Sequence, residues 1–308
     1  MTVARRATYW VALAVLATPT VSAQELAPRA YVITPKDANA VTLSYSFYHG
    51  SVQFDGAAPI TGASGTYNVE AFTYYHSISF FGRSANITGT LPYAIGTFQG
   101  TVQDQYMQIY RSGLADTAFR FSVNVMGGPA MNVKQYTKWK QKTLLGVSLK
   151  VVAPTGQYSP YKLVNWGGNR WAFKPEFGYS ERWKNWLLDG YAGVWLYTEN
   201  SQSYAPPSVA PQTLTPVGSL EGHLSYDVKP RFWFSLDGDY WFGGTASVNN
   251  IANPETRQAS SKIGGSGSVP VGKHQSVKLS YANVAYIRFG GSYQQLSAAW
   301  QYSWIGKP

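Results

Sequence analysis

Residues 231–242 read Arg231-Phe232-Trp233-Phe234-Ser235-Leu236-Asp237-Gly238-Asp239-Tyr240-Trp241-Phe242. Phe232, Phe234, Leu236, Tyr240 and Phe242 fall on one parity, and Ser235, Asp237 and Asp239, with Arg231, fall on the other. Successive side chains of an extended strand point to opposite faces, so this stretch predicts a ribbon with one apolar and one polar side. The pattern recurs along the chain. In 118–126, Phe119, Phe121, Val123 and Val125 alternate with Arg120, Ser122 and Asn124. In 143–152, Leu145, Val147, Leu149 and Val151 flank Ser148 and Lys150. In 292–304, Leu296, Ala298, Trp300, Tyr302 and Trp304 oppose Gln295, Ser297, Gln301 and Ser303. Twelve segments carry it, at 41–49, 68–81, 85–97, 118–126, 143–152, 170–180, 186–198, 217–227, 231–242, 259–269, 274–283 and 292–304.

Alternation fits a soluble sandwich as well as a membrane barrel, and the connections separate the two. The odd-numbered gaps, 50–67, 98–117, 153–169, 199–216, 243–258 and 284–291, are mostly long and rich in Gly, Pro, Ser and Asn. The even-numbered gaps, 82–84, 181–185, 228–230 and 270–273, are short, with one exception at 127–142. Outer-membrane barrels have an even number of antiparallel strands, long outer loops and short periplasmic turns, a parity that ten of the eleven gaps obey. Segments of about 9–14 residues suit tilted strands crossing a bilayer, whereas sandwich strands average about 5–6. Trp171, Trp183, Trp186, Trp195, Trp233, Trp241 and Trp304 are expected to form interfacial girdles. The fold expected is therefore all-β, a closed antiparallel transmembrane β-barrel of twelve strands.

Composition agrees. The 308 residues are 44% hydrophobic, 16% aromatic and only 13% charged, which excludes intrinsic disorder. With no cysteine, disulfides, thiolate metal sites and cysteine nucleophiles are excluded together. Arg5 and Arg6 precede an apolar stretch from Tyr9 to Ala17, followed by Val21-Ser22-Ala23. That run is about half the ~20 residues a spanning helix needs, so 1–23 reads as a cleaved secretory signal peptide. Cleavage leaves 23 basic and 15 acidic residues, a mature charge of +8. The expected organisation is a signal peptide over 1–23, a short periplasmic segment over 24–40 and the barrel over 41–308. Segment 127–142 interleaves Lys134, Lys138, Lys140 and Lys142 with Tyr136 and Trp139, and is expected as a periplasmic or interfacial amphipathic segment, with a lumen plug as the alternative. Nucleic acid is not an expected partner.

Three stretches carry a family resemblance. They are Ala153-Pro154-Thr155-Gly156-Gln157-Tyr158-Ser159-Pro160, then Asn165-Trp166-Gly167-Gly168-Asn169-Arg170-Trp171-Ala172-Phe173-Lys174-Pro175-Glu176, and Gly193-Val194-Trp195-Leu196-Tyr197-Thr198-Glu199-Asn200. With them the chain, from about Ala40 to Trp304, resembles the transporter family named for the meta-pathway of phenol degradation. The resemblance implies a Gram-negative outer-membrane β-barrel, a channel for small hydrophobic or aromatic compounds. It carries over no functional residue.

Facing alone assigns the lumen. The polar sides bring Arg120, Lys150, Arg170, Lys174, Glu176, Asp189, Glu199, Glu221, His223, Asp227, Arg231, Asp237, Asp239 and Lys278 inward. Basic residues gather on the fourth to sixth segments and acidic ones on the seventh to ninth, an arrangement that sets up a transverse field or neutralises itself. The function expected is passive, porin-like entry of a small aromatic or hydrophobic solute, without cofactor, metal or catalytic residue. Asp237-Gly238-Asp239 lacks a third ligand at a recognised spacing, and Gly264-Gly265-Ser266-Gly267 reads as a bend rather than a phosphate cradle. Alternatives are a structural or surface-interaction barrel and, further off, a barrel lipid hydrolase using His223 and Ser225. Expected partners are outer-membrane lipid and lipopolysaccharide, the barrel-assembly machinery and the solute.

Overall fold

The computed structural model describes residues 27–53, 60–102, 104–205 and 208–306, so the expected signal peptide lies outside the described residues. The first strands are β1 (Ala38–Gln53), β2 (Ile60–Phe80), β3 (Arg83–Val102), β4 (Gln105–Leu114), β5 (Thr117–Met126) and β6 (Thr143–Ala153), with a one-turn helix α1 (Val133–Tyr136) before the last. Next come β7 (Ala172–Trp183), β8 (Trp186–Tyr197), β9 (Asn200–Ala205), β10 (Ser208–Leu214), β11 (Val217–Lys229) and β12 (Phe232–Gly243). The chain finishes with β13 (Ala246–Val248), β14 (Ile251–Asn253), β15 (Gln258–Pro270), β16 (Gln275–Tyr286) and β17 (Gly290–Ile305).

Twelve of these strands form one antiparallel wall in the order β1-β2-β3-β5-β6-β7-β8-β11-β12-β15-β16-β17, and β17 returns to β1 from Ala38↔Ile305 to Gln53↔Gly290. All twelve expected segments are there. The wall is closed, so each strand has a partner on both sides and no edge faces lipid. The gaps expected as loops hold further strands. β4 pairs with the outer half of β3, Tyr93–Val102, while β5 takes the inner half, Ala85–Thr90. A second sheet, β14-β13-β10-β9, joins the connections 199–216 and 243–258. Short, polar, Pro-containing strands such as β10 (Ser-Val-Ala-Pro-Gln-Thr-Leu) lack the alternation that marks a half-buried ribbon.

The wall is apolar outside and polar inside, the reverse of a soluble barrel. On β12, Leu236 is 68% exposed on the outer face and its neighbour Asp237 only 3%. Phe234, Ile263, Leu279 and Leu296 face out in the same way, and Ser225, Ser235, Asp189 and Ser266 face in. A continuous apolar belt of this extent needs hydrocarbon against it, which places the wall in a bilayer. No helix of the described residues is long and apolar enough to cross a membrane. Both described chain ends meet at the end with short turns, where the Gly306 amide donates to the Asp37 carbonyl at 2.7 Å. In outer-membrane barrels that end is periplasmic.

The described part of the expected periplasmic segment, 27–37, runs inside the periplasmic end of the lumen. Tyr31 is fully buried there, and its hydroxyl hydrogen-bonds Ser148 and Glu176 at 3.0 Å each. Burial, with the neighbouring Glu176 charge, pushes the Tyr31 phenol up to about 12, so it remains a donor at neutral pH. Its ring lies on Gly146 and Gly178, where an added Cβ would come within 2.2 and 2.1 Å of it. Segment 127–142 covers the same mouth: Met131, Tyr136 and Trp139 pack with Ile33 and Leu144, and the Lys36 amide donates to the Met131 carbonyl at 2.7 Å. Gly178→Ala should therefore dislodge Tyr31, at about 1–3 kcal/mol of overpacking. The expected readout is faster trypsin cleavage after Arg29 in a barrel that still migrates as folded on unboiled gels.

Candidate functional site

The lumen is layered. At its outer end the connection between β6 and β7 folds inward and buries Trp166 against Tyr67 and Phe98, with ring centroids 5.7 and 5.8 Å apart. Tyr67 in turn stacks on Tyr48 at 4.6 Å and meets Tyr293 edge-on at 5.1 Å. The connection is held by Asp116, whose two carboxylate oxygens accept from the Gly156 and Gly168 amides at 2.8 and 2.7 Å. Burial pushes the Asp116 carboxyl above the usual range, against the pull of these two amides and of Arg170. On another stretch of wall Trp195 and Trp241, both 3% exposed, pack with Val152, Ala172 and Val217. The upper lumen is thus lined by rings.

Below lies an ion network. Arg120, Lys150 and Lys174 stand in direct register on β5, β6 and β7. Like charges so placed repel, and the carboxylates of neighbouring strands answer them. The Lys174 ammonium lies 2.6 Å from Glu176 and 2.7 Å from Glu221. To reach Glu221 on β11 it must cross β8, and it does so over Gly193, where a Cβ would meet Lys174 Cε at 2.8 Å and Ser219 Oγ at 3.3 Å. Arg120 is 3.6 Å from Glu176 and packs over the Tyr31 ring. Lys150 Nζ stands 5.9 Å from the Trp195 centroid. His223 places Nδ1 2.9 Å from Asp237 and Nε2 3.7 Å from Glu221. Asp237 also accepts from Ser235 and Ser266. Asp239 is buried, in register with Glu221 on one side and Lys262 on the other.

The lowest layer ties the N-terminal stretch down. Arg29 pairs with Asp227 at 2.7 Å and covers the Trp233 ring at 4.4 Å, and Arg182 pairs with the same Asp227. The Arg29 amide donates to Asp189, and the Ala30 amide donates to the Tyr191 hydroxyl.

The fourteen residues expected in the lumen divide accordingly. Arg120, Lys150, Lys174, Glu176, Glu221, His223, Asp237 and Asp239 meet in the central network. Asp189 and Asp227 lie with Arg29 beneath it, and Lys278 is 6.0 Å from the Trp233 centroid. Arg170 sits on the outer connection over Tyr197, because β7 begins at Ala172. Glu199 is exposed on the connection after β8. Arg231 is exposed at the β11–β12 turn and donates to the Gly272, Lys273 and Gln275 carbonyls of the next turn. Two residues are thus outside the lumen, because parity says which side a residue takes but not how far the strand runs. Of the expected girdle, Trp171, Trp183 and Trp186 face out, whereas Trp195, Trp233 and Trp241 face in, on the parity of Asp189, Asp237 and Asp239. Sequence reasoning missed Lys262, whose period-two position in a Ser/Gly-rich strand was the available signal, and Arg29 and Tyr31, which no strand pattern marks.

Lys174→Met should leave Glu176 and Glu221 without their shared cation. Breaking a buried pair in this way costs about 3–5 kcal/mol, to be read as a lower urea midpoint, and adding Glu221→Gln should recover part of it. A raised Asp116 pKa means that the docked connection holds a proton more tightly than a free one. Docking should strengthen as pH falls through that raised value and weaken as pH rises through it. Amide exchange across 154–171 checks this, and Asp116→Asn should flatten the pH dependence.

The wall is similar to that of known barrels. The crystal structure of an outer membrane channel from Pseudomonas putida F1 superimposes with a TM-score of 0.74 at 15% identity, covering 91% of this chain and 100% of that one. The transport unit of the autotransporter AIDA-I from Escherichia coli gives 0.53 at 9% identity, over 93% and 95%. Both likenesses concern the fold. No curated protein matches the chain by sequence. The model of the family described as MetA-pathway of phenol degradation matches residues 49–305, so nearly all of the wall and its central network belong to the matched region, and the chain is a member of that family.

Proposed function

We propose that this outer-membrane barrel admits small hydrophobic or aromatic solutes by passive diffusion. The observation that carries the reading is the ring-lined upper lumen, where one cluster of Tyr67, Phe98 and Trp166 and a second of Trp195 and Trp241, on another stretch of wall, stand above a charged layer. Rings offer a flat, weakly polar solute stacking partners worth about 0.5–1.5 kcal/mol each beyond the area they bury, enough to concentrate it without trapping it. The connection bearing Trp166 is held there by packing and by hydrogen bonds to Asp116, contacts that can open and re-form. Family membership and the likeness to an outer membrane channel support the same reading.

The predicted lumen residues that do face inward act, in this reading, as a wall that sets the bore and orients a solute rather than as a binding constellation. Mutual pairing removes most of their net field. His223 acts in this reading as a structural residue, with Nδ1 2.9 Å from Asp237 and Nε2 3.7 Å from Glu221, and hydrolysis is not part of the proposal. A second reading, a surface-interaction role, draws on the ordered sheet that β9, β10, β13 and β14 build from the outer connections.

Flux into liposomes separates the two. Reconstituted wild-type protein should admit phenol-sized aromatic probes faster than a sugar of equal mass. Trp166→Ala, which loosens the ring seal, should raise that flux several-fold. Background flux in both proteins sinks the channel reading and leaves the surface role.

A further inference from the structure

The periplasmic rim repeats one pairing. At the β2–β3 turn Phe81 is 91% exposed and Arg83 follows it. At the β7–β8 turn exposed Trp183 adjoins Lys184, at β11–β12 exposed Val228 adjoins Lys229, and at β15–β16 exposed Val271 precedes Lys273. The fifth connection at this end, 127–142, exposes Lys134, Lys138, Lys140 and Lys142.

The carboxylates at the same level are turned to other uses, Asp37 standing 3.8 Å from Lys36. Asp227 is taken by Arg29 and Arg182, and Glu181 accepts from Thr143 and Tyr179. Among the described residues the outer connections lack the bias: there exposed Asp104, Glu199 and Glu255 stand against Lys162, Arg257 and Arg288. One end of the barrel therefore presents cations set beside apolar side chains.

We propose that this rim is a binding surface for anionic phospholipid headgroups of the inner leaflet, the glycerophosphates seated on the turn cations and the acyl chains against the adjoining apolar residues. A soluble acidic partner would satisfy the charges but would leave Phe81, Trp183, Val228 and Val271 in water. A neutral leaflet would cover those residues and leave the cations unanswered. An anionic lipid supplies both, and each basic residue near such a surface adds to the attraction.

The test uses the mature chain refolded in neutral detergent micelles doped equally with phosphatidylglycerol and phosphatidylethanolamine, with retained lipids counted by native mass spectrometry. Wild type should retain phosphatidylglycerol at least about fivefold over phosphatidylethanolamine, the preference one cation near an anionic surface confers. Lys134→Gln/Lys138→Gln/Lys140→Gln/Lys142→Gln should lower that ratio, and so should Arg83→Gln/Lys184→Gln/Lys273→Gln, which leaves segment 127–142 untouched. Lys162→Gln, at the other end, should not change it. Unboiled gel migration confirms that each variant is folded. Parity in wild type overturns the proposal, as does an unchanged ratio in both multiple variants. Binding of soluble poly-glutamate as tight as that of phosphatidylglycerol would assign the rim to an acidic polypeptide and overturn it too.

Discussion

A peptide group in hydrocarbon has no water to bond, and everything in this structure follows from that shortage. Each wall strand must find both of its neighbours, which is why β17 closes on β1 along its whole length. Closure makes an interior, and parity then sends one set of side chains to lipid and the other to that interior. The belt of Leu236, Phe234, Ile263 and Leu279 and the buried Asp237 and Ser235 are two consequences of a single constraint.

The interior inherits a second constraint. Charges held away from bulk water need partners, and a narrow barrel can supply them across strands. Lys174 answers Glu176 on its own strand and Glu221 two strands away, so one ammonium links β7 to β11 over the surface of β8. His223 and Asp237 link β11 to β12, and Asp237 reaches Ser266 on β15. These links brace the wall from inside from β7 to β15, and Arg120 on β5 joins them through Glu176.

Much of this was legible in the sequence, for definite reasons. Period-two alternation is strong wherever one face meets lipid, and all twelve wall strands carry it, from 41–49 to 292–304. The parity of loop lengths gave orientation. Arg120, Lys150, Lys174 and Glu221 lie within their strands, where alternation alone assigns a side. Strand ends were the weak point, and Arg231 and Glu199 lie beyond them. Tryptophan misled for a different reason: its amphipathic ring suits an interface and a buried lumen equally, and only parity distinguishes Trp186 from Trp195. The entry of Tyr31 into the lumen depends on the absence of side chains at Gly146 and Gly178, 115 and 147 residues away in the chain. Local pattern cannot report a complementarity that distant.

The outer sheet has its own implication. Because β10 pairs with β9 on one side and β13 on the other, two excursions from separate hairpins are zipped into one body. Register runs from Gln212↔Val248 to Leu214↔Ala246. Neither excursion can be shortened, exchanged or grafted alone without stripping a hydrogen-bonded margin from the other. Any reshaping of this exterior, by an engineer or by selection, has to treat the pair as a unit.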